Sequence, residues 1–254
     1  MPRCWVRAAM TSRDERPRVS DIGDPGRQLP LALRYPPDQR LDTFIGAAAG
    51  DIAQLRTLAE SPDGDWLFLQ GPEGGGKTHL ALAACAAAEA GGRRAAYLPL
   101  RAASGRLRDA LDALEGDLIA LDGLDAIAGE RDDEVALFDF HNRARSAGLA
   151  VLYTAQLAPD ALALILPDLR SRLSQCTRIT LSLLDDAGRR AVLRDRAQRR
   201  GLVLDDAALD WLLRRVGRDV AGLTGLLDKL DRASLVAQRR ITVPFLRDTL
   251  GPEA

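Results

Sequence analysis

The sequence predicts an α/β fold, a parallel doubly wound sheet built on a P-loop and followed by a small helical lid domain. Three observations predict it. Gly71-Pro72-Glu73-Gly74-Gly75-Gly76-Lys77-Thr78 fills the pattern Gly, four residues, Gly-Lys-Thr, between a short apolar run at 66–69 and an Ala/Leu-rich stretch at 79–90. Apolar strand-like runs alternate with helical stretches as far as about residue 182. From Asp185 onward the strand signals stop and only helical patterns follow.

The elements follow in order. Residues 1–27, rich in Arg, Asp, Pro, Ser and Gly and without periodicity, read as a disordered tail in which Met10 offers an alternative start. Gln28-Leu29-Pro30-Leu31-Ala32-Leu33 is an apolar island. It reads either as an edge segment packed on the main domain or as a short linear motif for a groove on a partner. Pro36-Pro37 blocks a helix and stiffens the link. The α/β domain is expected over 40–182 and the lid over 183–254. Helices are expected at 47–60, 79–90, 106–114 and 133–146, and strands at 66–69, 95–100, 117–122, 149–154 and 178–181. In the lid, helices are expected at 186–200, 205–216 and 220–238, with a last short one after Ile241-Thr242-Val243-Pro244.

Composition narrows the function classes. Hydrophobic residues make up 46% and charged residues 28% of the 254, and the formal net charge is −1. A near-neutral chain does not grip DNA along a broad basic surface. The longest apolar runs are too short to span a membrane. Cys4, Cys85 and Cys176 are widely spaced with no Cys-x-x-Cys, which reads as reduced thiols and a cytoplasmic protein.

The loop at 71–78 carries the chemistry. Its glycines let the backbone curl its N–H groups around an anion, and the following helix adds the positive end of its dipole. Gly71, Gly74, Gly75 and Gly76 form the cradle, Lys77 is placed for the β- and γ-phosphates, and the Thr78 hydroxyl for Mg²⁺. This predicts a nucleotide, ADP or ATP, as the bound cofactor. Asp122 closes an apolar strand about fifty positions later, where an acid that holds the same Mg²⁺ belongs. The next residue is Gly123 rather than an acid that would orient water, and Asp125 lies three positions on, out of reach unless the loop is rearranged. Slow or absent hydrolysis follows. Thr154 or Gln156 could sense a γ-phosphate at the next strand end. Leu166-Pro167-Asp168-Leu169-Arg170-Ser171-Arg172 sets two arginines after a proline-initiated turn, either as ordinary surface charge or as donors to a nucleotide on a neighbouring subunit.

This order of P-loop, strand-ending Asp122, Leu-Pro-Asp-Leu-x-Ser-Arg and helical lid resembles the DnaA-related AAA+ family, and within it the Hda group of regulatory inactivators. The resemblance runs from about residue 28 to the end. It rests on the 28–33 hexapeptide, on Leu230-Asp231-Arg232-Ala233-Ser234 and Pro244-Phe245, and on a chain that stops before a helix-turn-helix domain would begin. What it implies is an AAA+ domain whose Arg172 acts as an arginine finger on ATP held by DnaA. Gln28, Leu29, Leu31 and Leu33 would bind the DNA polymerase III sliding clamp, and DNA only indirectly through it; homo-oligomers are compatible with such a finger. The implied activity is negative regulation of chromosomal replication initiation. Two departures stand out: Ala32 where the clamp motif often has proline, and Ala221 where family lids carry a nucleotide-sensing arginine, with Arg218 one turn earlier. The alternative is an ATP-dependent helicase loader or other DnaA-like replication ATPase, which needs turnover of its own.

Overall fold

The computed structural model describes residues 39–61, 66–215, 230 and 241–251, all within one unit that spans 35–254. The hexapeptide at 28–33, the lid positions Arg218 and Ala221, and, apart from Leu230, the helix expected at 220–238 lie outside the described residues.

Five strands form a wholly parallel sheet: β1 (Leu67–Gln70), β2 (Ala95–Pro99), β3 (Leu118–Asp122), β4 (Ala150–Ala155) and β5 (Thr177–Thr180), in spatial order β2-β3-β4-β1-β5. After β1 the chain crosses three positions to β2 through α2 (Lys77–Ala90) on one face. It then steps back through β3, β4 and β5 by helices on the other face. These are α3 (Leu100–Ala103), α4 (Leu107–Asp112), α5 (Arg131–Ser146) and α6 (Pro167–Ser174). Reversing the direction of travel while changing face keeps every crossover right-handed. α1 (Ala49–Glu60) packs beside α2.

Because both faces are covered, the central strands β1, β3 and β4 are largely apolar, and alternate residues feed two cores. Phe68, Ile119, Leu121, Val151 and Tyr153 face α3–α6. Leu67, Leu69, Leu118, Ala120 and Leu152 face α1 and α2, where Ala81, Ala84 and Ala88 let α2 lie close to the sheet. The unbroken apolar run that makes 117–122 legible as a strand is this two-sided burial.

α6 is the helix that the sequence reading left as a turn. Pro167 stands at its first position, where the missing N–H would have had no helical partner. Its approach is held by Glu134, fully buried on α5, whose carboxylate accepts from Gly129 N, Ile165 N and Leu166 N at 2.8 to 3.0 Å. Beside it, the buried Asp133 carboxylate accepts from Gly105 N at 2.8 Å and Leu107 N at 3.3 Å, capping the start of α4.

Beyond β5 come α7 (Asp186–Arg199), α8 (Asp206–Arg215) and α9 (Val243–Leu250). Asp185 caps α7 by accepting from Gly188 N, and Asp205 accepts from Ala208 N, both at 2.7 Å. A separate apolar cluster, with Leu193, Leu209, Trp211, Leu212, Leu230 and Leu246 at its centre, holds these helices together. Arg194 pairs with Asp206 at 2.7 Å, and Arg190 with Asp210. No helix among the described residues is long and apolar enough to cross a membrane. Cys85 and Cys176 are free and buried, and burial pushes both thiols up to about 12.

Removing the Glu134 carboxylate strands three backbone N–H groups. Glu134→Ala is expected to destabilise the fold by about 2–4 kcal/mol, read from the midpoint of a urea transition at unchanged slope.

Candidate nucleotide site and finger face

The loop between β1 and α2 forms at the C-terminal ends of the strands, where doubly wound sheets bind ligands. Gly76 sits at the N-cap of α2 with φ +93°, and a Cβ there would lie 2.6 Å from the Phe44 ring. Only glycine meets both demands. Gly71 is tied to β4 through its N–H to Ala155 O at 3.3 Å, and Gly75 N–H closes the loop on Pro72 O at 3.1 Å. The Lys77 ammonium donates to Gly71 O at 2.6 Å and Pro72 O at 2.8 Å, which folds it over the cradle. Burial pulls Lys77 below the ordinary lysine value, against the opposing fields of Asp125, Asp122 and Glu73.

Asp122 is the meeting point. One carboxylate oxygen accepts from Thr78 Oγ1 at 2.8 Å and from the Tyr97 hydroxyl at 2.7 Å; the other accepts from Thr154 Oγ1 at 2.5 Å. Thr154 is fully buried and also accepts from Gly123 N at 2.9 Å, so its hydroxyl aims the carboxylate and locks the turn after β3. Sequence reasoning offered Thr154 or Gln156 as a phosphate sensor; the Thr154 hydroxyl bonds Asp122 and Gly123 N–H. Tyr97 was missed, although β2 lies beside β3 and runs its side chains along the same register. Burial and the adjacent carboxylate push its phenol well above the ordinary range. The Thr78 hydroxyl and Asp122 face each other closely enough to share one hard cation, whose remaining ligands would be phosphate oxygens and water, a donor set suited to Mg²⁺.

Gly123 has φ +86°, and that left-handed step starts a short turn over Leu124–Ala126. The turn rearranges the loop and returns Asp125 to the strand ends. Asp125 accepts from Gln156 N at 2.8 and 3.0 Å and is the strongest acidic influence on Lys77. Toward the lid, Phe44 and His79 lie with ring centroids 5.3 Å apart in a cleft also lined by Gly75, Gly76, Asp195 and Arg196. The sequence carried no signal for these contributors beyond their nearness to the loop.

The two arginines of α6 part company. Arg170 turns inward and donates to Leu164 O at 2.5 Å, whereas Arg172 is exposed in the last turn. Arg172 lies at the opposite end of the sheet from the loop, beside Trp66 before β1 and Thr177 at the start of β5. Strands of this length separate the two ends by about 13–20 Å, well beyond the reach of one arginine. Next to it, buried His141 contacts Tyr153 OH at 3.1 Å, and burial together with Arg145 and Arg172 brings it down to about 4.

A buried histidine with its folded value below the unfolded one contributes stability in full above about pH 6.5, and that contribution fades as pH falls toward the folded value. Between pH 6.5 and 5 the protein is expected to lose about 1.5 kcal/mol more than His141→Gln, measured by denaturant melts. Lys77→Ala is expected to weaken binding of a fluorescent adenine nucleotide by about 10- to 100-fold without lowering the melting temperature.

Residues 186–250 match the family model described as "Hda, lid domain". Among solved structures, domain III of the Thermotoga maritima replication initiation protein DnaA aligns at 20% identity with TM-score 0.68, over 85% of this chain and 99% of that one. AMPPCP-bound DnaA from Aquifex aeolicus aligns at 21% identity with TM-score 0.63, over 78% and 66%. The Thermotoga maritima RuvB Holliday junction branch migration motor aligns at 19% identity with TM-score 0.60, over 84% and 71%. At these identities the likeness is one of fold.

Proposed function

We propose that this chain is a DnaA-related nucleotide-holding adaptor that switches off a DnaA initiator, a reading supported by the lid match over residues 186–250 and the DnaA-like fold. In this reading Gly71, Gly74, Gly75, Gly76, Lys77 and Thr78 hold ADP or ATP, and Thr78 and Asp122 hold its Mg²⁺, while Thr154 and Tyr97 keep Asp122 aimed. Gln28, Leu29, Leu31 and Leu33 dock on the DNA polymerase III sliding clamp, bringing the protein to DNA. Arg172 then enters the site of a DnaA molecule carrying ATP and stabilises the charge that develops on the transferred phosphoryl group. Hydrolysis takes place in the partner, and the initiator is left with ADP.

The observation that supports this most is the position of Arg172. It is exposed, it pairs with no acid among the described residues, and it stands at the sheet end remote from its own loop. Such an arginine serves a neighbour or nothing.

A second reading, an ATPase that acts on its own nucleotide as a helicase loader would, draws on Asp125, which reaches the field of Lys77. Against it, both Asp125 oxygens are bonded by the Gln156 N–H, and Gly123 stands where a water-orienting acid is expected.

One assay separates the two: hydrolysis of DnaA-bound ATP in the presence of clamp loaded on DNA. The protein is expected to accelerate it, Arg172→Ala to reduce the acceleration by about 10³-fold or more while still binding the clamp, and deletion of 28–33 to remove clamp retention. Full acceleration by Arg172→Ala would sink the finger. Steady turnover by the protein alone, with no effect on DnaA, would favour the second reading.

A further inference from the structure

Around Arg172 lies a cavity of about 270 Å³ lined chiefly by Trp66, His141, Arg145, Arg172, Gln175 and Cys176. Its position follows from the topology. α5 and α6 run antiparallel to the strands they precede, so their C-terminal turns gather where β1, β4 and β5 begin. Arg145 and Arg172 occupy those two last turns, where the negative ends of the helix dipoles favour cations.

The charge there is unbalanced in a selective way. Arg143, two residues before Arg145, pairs with Asp112 at 2.6 Å, and Arg178, beside the cavity residue Thr177, approaches Asp160 at 3.7 Å. Arg145 and Arg172 form no ion pair among the described residues, and no described carboxylate lines the cavity. Arg145 is held instead by an aromatic ring: its guanidinium carbon lies 5.3 Å from the centre of the Trp66 ring. That ring is itself fixed, since its indole N–H donates to Leu149 O at 2.8 Å and it meets His141 edge-on at 4.5 Å. The planar fork of Arg145 is thus oriented in advance, which reduces the ordering cost of binding. The neutral His141 adds no third cation near pH 7.

We propose that this cavity is an oxyanion site in which Arg145, stacked on Trp66, acts with Arg172 as a second cation for phosphate groups. Its ligand, the terminal phosphates of a nucleotide carried by a partner subunit, rests on the trans-acting reading of Arg172. The site itself rests on the cavity and its two acid-free guanidinium groups. Two forks converging from neighbouring helices would grip a polyphosphate from two sides, where one arginine gives a single contact.

The chain has two histidines, and they report on the two ends of the sheet: His79 beside the nucleotide loop and His141 beside this cavity. In an NMR titration of the full chain with inorganic tripolyphosphate, the His141 ring signals are expected to move saturably, and acetate at matched ionic strength to leave them in place. Arg145→Ala is expected to weaken that response by about tenfold or more, and Arg145→Lys, which keeps the charge but loses the fork, by less. In the DnaA assay, Arg145→Ala is expected to lower the acceleration at least tenfold with clamp retention unchanged. His141 signals that stay fixed, that respond equally to acetate, or that respond in Arg145→Ala as in the wild type would overturn the site. A wild-type response to tripolyphosphate with no acceleration of DnaA would remove the trans-acting reading and leave the oxyanion site standing.

Discussion

The fold's chemistry depends on one carboxylate. Asp122 accepts hydrogen bonds from Thr78 at the head of α2, Tyr97 on β2 and Thr154 on β4. The three donors come from three segments that are far apart in the chain and adjacent at one end of the sheet. Any shift in the register of β2 or β4 against β3 would break one of them, so sheet packing and the aim of the acid are a single constraint. Thr154 extends it: through Gly123 N it fixes the turn that returns Asp125, and Asp125 in turn holds Gln156 as the chain leaves β4. The segment that carries Arg172 therefore begins at a residue anchored to the end of the sheet that holds the 71–78 loop.

Glu134 makes the second anchorage. Its carboxylate joins Gly129, which closes the turn after Asp122, to Ile165 and Leu166, which open α6. A buried carboxylate is costly unless its lone pairs are filled, and here backbone N–H groups fill them from two loops at once. The two loops are thereby tied together, with Asp122 at one side and α6 at the other.

The sheet was legible in the sequence because burial on both faces leaves an unmistakable trace: apolar runs of strand length, closed by turn residues and spaced by helices. The loop at 71–78 was legible because its glycine, lysine and threonine spacing answers to one geometry. Other features left no local trace. Pro167 reads as a breaker until the first position of a helix is considered. Gly123 reads as the loss of an acid, when its left-handed backbone is what brings Asp125 back. A threonine at a strand end does not say whether it faces a ligand or the acid behind it. The grouping of Trp66, His141, Arg145 and Arg172 draws on three chain segments, and the order β2-β3-β4-β1-β5 brings them to one end of the sheet.

The separation of the two sites along the strands has a consequence for assembly. On the proposed function, a subunit would receive phosphate at one pole and offer arginines at the other, so an end-to-end contact would join unlike poles. Such contacts would be heterologous, each junction with a giving side and a taking side. A row of such subunits would have a direction, one end displaying a loop and the other an arginine. A molecule joining by its arginine pole would complete its neighbour's site while its own loop faced outward, so its place in the row would decide which nucleotide is acted on and which is spared.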